Sequence, residues 1–193
     1  MEPGPAHGEE IADHLREAAP RPAEGAPPTT TEAPSTPAAA VRPVQTYEHP
    51  TLLTEALETS EKRLLLISPW LRRGVINDAF LAKLKAALER GVVVYLGWGM
   101  SASETDSPDA DSGLVKELDE FAKAYGGFRF ERLGRTHAKV LVCDSRFVVV
   151  TSFNWLSFRG DPKRTFRDER GTLVSIPEYV DGQFAEWRSR FGE

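Results

Sequence analysis

Five residues in the last third of the 193-residue chain have the types and spacing that phosphoryl chemistry needs: His137, Lys139, Asp144, Ser152 and Asn154. They read His-x-Lys, an Asp five residues on, then Ser-x-Asn. On a strand, residues i and i+2 share a face, so His137 and Lys139 point the same way, and a hairpin at Asp144-Ser145 brings Ser152 and Asn154 back beside them. An imidazole with a free lone pair can attack phosphorus. An ammonium, a hydroxyl and a carboxamide can donate hydrogen bonds to the non-bridging oxygens, where negative charge must be stabilised in the transition state. Such a site calls for no metal and no cofactor. A lone strand histidine is usually a packed residue, and it is the four companions of His137 that favour catalysis.

The elements that must position these groups follow from hydrophobic periodicity. Leu52, Leu53, Ala56 and Leu57 recur at helical spacing before the apolar run 64–67, a buried strand that ends at Ser68-Pro69-Trp70. Over 75–90, Ile76, Ala79, Phe80, Leu84, Ala87 and Leu88 share one helical face, and Gly91 supplies a C-terminal stop. A second strand spans 92–96. The Gly-, Ser- and Asp-rich stretch 97–112 is a loop at a strand's C-terminal end, where open α/β sheets place ligands. Leu114, Val115, Leu118, Phe121, Ala122 and Tyr125 describe another helix, stopped by Gly126-Gly127. Strands are expected at 128–132, 138–143, 146–151 and 171–176, and Pro177 opens a last helix carrying Val180, Phe184, Trp187 and Phe191. Strands alternating with helices predict an α/β fold with a mixed β-sheet flanked by helices on both faces.

Residues 1–46 read differently. Nine of the 14 prolines fall before position 46, mixed with Ala, Thr and Glu, which predicts a disordered tail or linker that could tether a protein partner, with the catalytic domain over 47–193. The first residues are acidic (Glu9, Glu10, Asp13) rather than a basic segment ahead of an apolar one, so no secretion signal is expected. No run reaches the roughly 18 apolar residues of a membrane span. The single cysteine, Cys143, cannot form an intrachain disulfide and sits among Val140, Leu141 and Val142, as a buried thiol in a reducing, cytoplasmic setting would. Net charge is −5, but beyond position 45 there are 22 acidic against 21 basic residues (29 less seven, 24 less three), so nucleic acid would have to be met by a local patch.

The motif His137-x-Lys139-x4-Asp144 followed by Ser152-x-Asn154 resembles the phospholipase D-like, or HKD-motif, superfamily, and the likeness runs from about Arg63 to Ile176, including the strand ending in Ser-Pro-Trp. The resemblance implies a metal-independent phosphodiesterase in which His137 forms a covalent phosphohistidine, while a second histidine protonates the leaving oxygen and then activates water. Only one motif is present, and His7, His14 and His49 lie in or beside the tail without its context. Short members such as the bacterial Nuc-type endonucleases pair two identical motifs across a two-fold axis, so the resemblance implies an obligate homodimer. It also implies a downstream acid that accepts a hydrogen bond from the nucleophile's Nδ1; Glu169 is the candidate, with Asp168 behind it. Asp144, despite its place in the motif, fits a role in orienting the turn or Lys139 better than contact with substrate. Thr151 departs from the family's usual glycine, and its Cβ is expected to narrow the approach of substrate.

For the substrate, the loop carrying Arg159, Lys163, Arg164, Arg167 and Arg170 leaves the site directly and favours DNA or RNA, since phosphate contacts are made mainly by Arg and Lys. The plainer reading is a solvated loop paired with its own Asp161, Asp168 and Glu169. Trp70 and Trp98 could each stack a base or seal the sheet, whereas Trp155 is expected in the core. The leading expectation is a nuclease. A phospholipase D-type lipid hydrolase ranks below it, because lipid-cleaving members usually carry two motifs in a longer chain, and a non-catalytic nucleic-acid-binding module is the third reading.

Overall fold

The computed structural model describes residues 40–101, 109–163 and 167–192. Seven strands form one mixed sheet in the order β1-β7-β6-β5-β2-β3-β4, with β1 Val41–Gln45, β2 Arg63–Ser68, β3 Val93–Trp98, β4 Phe128–Arg132, β5 Val140–Cys143, β6 Phe147–Thr151 and β7 Arg170–Val174. β2, β3 and β4 run parallel, joined by the crossover helices α2 (Asp78–Glu89) and α3 (Leu114–Ala124). β5, β6, β7 and β1 continue the sheet antiparallel from β2. A chain that buries both faces of a sheet needs near-continuous apolar strands, and Leu64 to Ile67 and Val140 to Cys143 are all buried.

Alternate residues of those strands feed two cores. Leu64, Leu66, Leu141, Cys143 and Val149 pack under α1 (His49–Thr59), α2 and α3. Leu65, Ile67, Tyr95, Val142 and Val148 pack under Val180 and Phe184 of α4 (Pro177–Arg188). Helices therefore cover both faces, as the periodicity predicts.

The expected boundary at residue 46 is corrected. Val41–Gln45 pair antiparallel with β7 from Val41↔Val174 to Gln45↔Arg170, and a 3-10 turn at Thr46–Glu48 leads into α1. Pro43 lacks a backbone donor, which only an edge strand tolerates, and β1 is such an edge. Residues 1–39 lie outside the described residues, as do 102–108 of the loop expected at 97–112. Among the described residues no helix is long and apolar enough to cross a membrane.

Candidate active site

One end of the sheet gathers the chemical groups. Because β5 runs antiparallel to β2, the approach to β5 (His137 to Lys139) lies beside the end of β2 and the Ser68-Pro69-Trp70 segment. The end of β6 returns next to it, with the Thr151 amide donating to the Lys139 carbonyl at 3.2 Å. β7 then begins alongside, as the Ser152 amide donates to the Arg170 carbonyl at 3.0 Å. His137 and Lys139 precede β5 rather than lying within it, yet both side chains reach the Trp70 ring. His137 is exposed and Lys139 is only 6% exposed.

The His137 ring stands edge-on to Trp70 with centroids 5.6 Å apart, and among the described residues it makes no hydrogen bond. Lys139 Nζ donates to the His137 carbonyl at 2.7 Å and sits 6.0 Å from the Trp70 ring centre. Burial lowers the pKa of the Lys139 ammonium, and the Glu169 carboxylate works in the opposite sense. Ser152 Oγ donates to Glu169 Oε2 at 2.5 Å and accepts from the Arg170 amide at 3.1 Å. Its proton is thus directed to Glu169. Asn154 is buried, and its Oδ1 has no hydrogen-bond partner among the described residues. An unsatisfied amide oxygen costs about 1–3 kcal/mol, a cost tolerated where a ligand completes the set.

Several expected contributors sit elsewhere. Glu169 is at the site but engages Ser152 rather than the His137 ring. Asp168 pairs with Arg170 at 2.8 Å. Asp144 is at the far end of β5, about 16 Å along the strand from Lys139 at ~3.3 Å per residue. There its carboxylate accepts from the amides of Glu61, Lys62 and Arg63 at 3.0, 2.9 and 2.9 Å, and it touches neither Lys139 nor the site. Trp98 is 4% exposed and stacked 6.0 Å from Phe130, so it seals the sheet and presents no face to a base. Trp70, half-buried against His137, is the tryptophan at the site; Trp155 is fully buried, as expected.

The basic loop is dispersed. Arg159 donates to the Gly74 carbonyl and lines a 360 Å³ cavity between α1 and α2. Arg167 lies 5.2 Å over Phe158, and Lys163 is exposed with its amide on Asp161. Arg164 lies outside the described residues.

One residue beside the site escaped the sequence reading. His49, grouped with the tail, is fully buried at the start of α1. Its Nδ1 faces the Thr46 carbonyl at 3.1 Å, its Nε2 faces Thr151 Oγ1 at 2.7 Å, and its ring stacks on Phe153 at 4.5 Å. The only sequence signal was Pro50 directly after it, a helix-start mark that puts His49 at a helix N-terminus rather than in a tail. The Thr151 side chain is turned toward His49 and Arg170, not outward to narrow a substrate path.

Comparison with known proteins bears on this arrangement. Residues 53–158 match the family model described as cardiolipin synthase, PLD-like domain. Among solved structures, the chain is similar to the phospholipase D family member Nuc from Salmonella typhimurium (18% identity, TM-score 0.55, 79% of this chain and 93% of that one). It is also similar to NucT from Helicobacter pylori (12% identity, TM-score 0.59, 79% and 95%). A third likeness is to phosphatidylserine synthase from Haemophilus influenzae Rd KW20 (13% identity, TM-score 0.60, 76% and 35%). No curated protein matches the chain.

Proposed function

Because the chain belongs to the PLD-like domain family, we propose that it is a metal-independent phosphodiesterase, a nuclease acting on DNA or RNA through a covalent phosphohistidine on His137, and that it works as a homodimer. The observation that carries this reading is an exposed imidazole, without a hydrogen bond among the described residues, beside a buried ammonium. A bare ring nitrogen of His137 attacks phosphorus, and the bond to the leaving oxygen breaks as that oxygen takes a proton. Lys139 and the Asn154 carboxamide offer donors to the non-bridging oxygens. Water then attacks the phosphohistidine, giving its proton back to the acid and restoring the His137 lone pair. Among the described residues no second histidine reaches the surface beside the motif, so the acid is the partner subunit's His137.

A lipid substrate is the second reading, favoured by the family's description and by the likeness to a phosphatidylserine synthase. The test is cleavage in EDTA of single- and double-stranded DNA, RNA and phosphatidylcholine vesicles by wild type and His137→Ala. Chelator-resistant nucleic-acid cleavage that the variant loses is the expected result. Cleavage of lipid alone would establish the second reading, and a monodisperse monomer with full activity would end the dimer.

A further inference from the structure

Thr151, Phe153 and His49 form a unit behind the turn that presents Ser152 and Asn154. Thr151 Oγ1 accepts the Phe153 amide proton at 3.0 Å, so the hydroxyl closes the turn on itself. The same oxygen lies 2.7 Å from His49 Nε2 and 2.9 Å from the Arg170 carbonyl. The other His49 nitrogen, Nδ1, faces the Thr46 carbonyl at 3.1 Å, so the ring is gripped at both nitrogens. Burial keeps the ring neutral, with Glu169 and Glu48 the charged groups acting against that burial. The single Thr151 hydroxyl proton goes to the Arg170 carbonyl, and His49 Nε2 holds the same oxygen from the other side. The 3-10 turn ahead of His49 grips the opposite wall, since Thr46 Oγ1 accepts the Glu169 amide at 2.9 Å. Across the sheet Thr151 pairs with Gly171, where a Cβ would stand 2.9 Å from Thr151 Cβ and 3.1 Å from His49 Nε2. Only glycine leaves room for the pair.

We infer that His49 is a positioning residue for the phosphodiesterase site, holding the Ser152 to Asn154 turn in register with Lys139 and Glu169 through the Thr151 hydroxyl. This rests on the proposed function for what the site does. It also gives Thr151 a reason to replace glycine. Side chains of the turn displaced by about 1 Å lose on the order of 100-fold in turnover, so the effect belongs in kcat rather than KM.

The experiment is a double-mutant cycle on the full chain. His49→Phe keeps the ring stack and removes both nitrogens; Thr151→Val keeps the shape and removes the hydroxyl; Thr151→Ser restores it. Each of the first two is expected to lower kcat 10- to 100-fold with KM within threefold. The double variant should be no worse than the poorer single, and Thr151→Ser should stay within threefold of wild type. Additive losses, or a Thr151→Val enzyme with wild-type kcat, would overturn the inference, and Thr151→Val serves even if His49→Phe does not fold. Inorganic phosphate binding, followed by calorimetry, separates the two failures. If the wild type neither binds phosphate nor turns over any phosphodiester, the site reading fails and takes this inference with it. If the wild type is active and the variants match it, only the His49 role is lost.

Discussion

Replacing Asp144 distinguishes a motif position that does chemistry from one that builds the scaffold. Its carboxylate is 8% exposed and holds the amides of Glu61, Lys62 and Arg63, which lead into β2. Burial works against the charge, but the three amide donors outweigh it and lower the pKa below the usual carboxylate value. Asp144 also adopts φ 51°, a left-handed conformation that Asn tolerates and Ala does not. Asp144→Asn therefore keeps the turn and one acceptor oxygen while losing the charge. With charge-assisted bonds contributing about 1.5–3 kcal/mol each against about 1 for neutral ones, and the terms far from additive, the expected loss is roughly 2 kcal/mol. Asp144→Ala loses every bond and adds about 1 kcal/mol of strain, for about 4 kcal/mol in all. For a domain of this size that corresponds to drops in Tm of about 6 °C and about 12 °C. Calorimetric scans at pH 7 test this, alongside turnover measured well below each variant's Tm, where wild-type kcat is expected. The lowered pKa adds a sign. The contribution is complete above the unfolded-state pKa and is lost as pH falls through the folded one, so wild type and Asp144→Asn should converge in acid. An unchanged Tm with lost activity in Asp144→Asn would refute the scaffold role and return this residue to the chemistry.

Three further outcomes are expected. His49 titrates below its ordinary value because it is buried, so the unfolded chain takes up its proton first; stability is full above about pH 6.5 and is lost as pH falls toward the folded value. A denaturant series from pH 8 to pH 5 should fall more steeply for wild type than for His49→Phe, and parallel slopes would contradict this. The Cys143 thiol is pushed up to about 12 by burial, so at pH 8 an aromatic disulfide reagent should label it only after denaturant is added; stoichiometric labelling of the native protein would show the strand to be accessible. Trp98→Ala should cost about 3–5 kcal/mol by emptying part of the core that packs under α1, α2 and α3. Trp70→Ala should cost much less stability and instead raise KM, and the reverse ranking would exchange their roles.

The strands and helices over 49–188 were legible because their apolar residues recur at the right period, and the motif was legible because strand alternation fixes what shares a face. β1 was not. Its apolar side chains are Val41 and Val44 around Pro43, in a Pro- and Ala-rich setting, and its existence depends on pairing with Arg170–Val174, more than a hundred residues away. His49 escaped for a similar reason: its partner Thr151 is 102 positions on, and no spacing rule spans that distance. Trp98 and Trp70 both follow apolar runs at strand ends; only the stacking on Phe130 separates the buried one from the one beside His137. Glu169 was placed at the site, but the choice of Ser152 over His137 is a matter of side-chain direction that sequence does not encode.

The short strand at Val41–Gln45 decides where the chain can be cut. A version begun at residue 47 would strip the outer ladder from β7, leaving a row of open amides and carbonyls beside the exposed Val150. Edges of that kind recruit strands from other molecules, so such a truncation should self-associate through its backbone. It would also lose the Thr46 hydroxyl that the Glu169 amide needs. Oligomers formed by that route would be easily mistaken for the proposed homodimer, and size measurements on this protein belong to chains that keep residues 40–46.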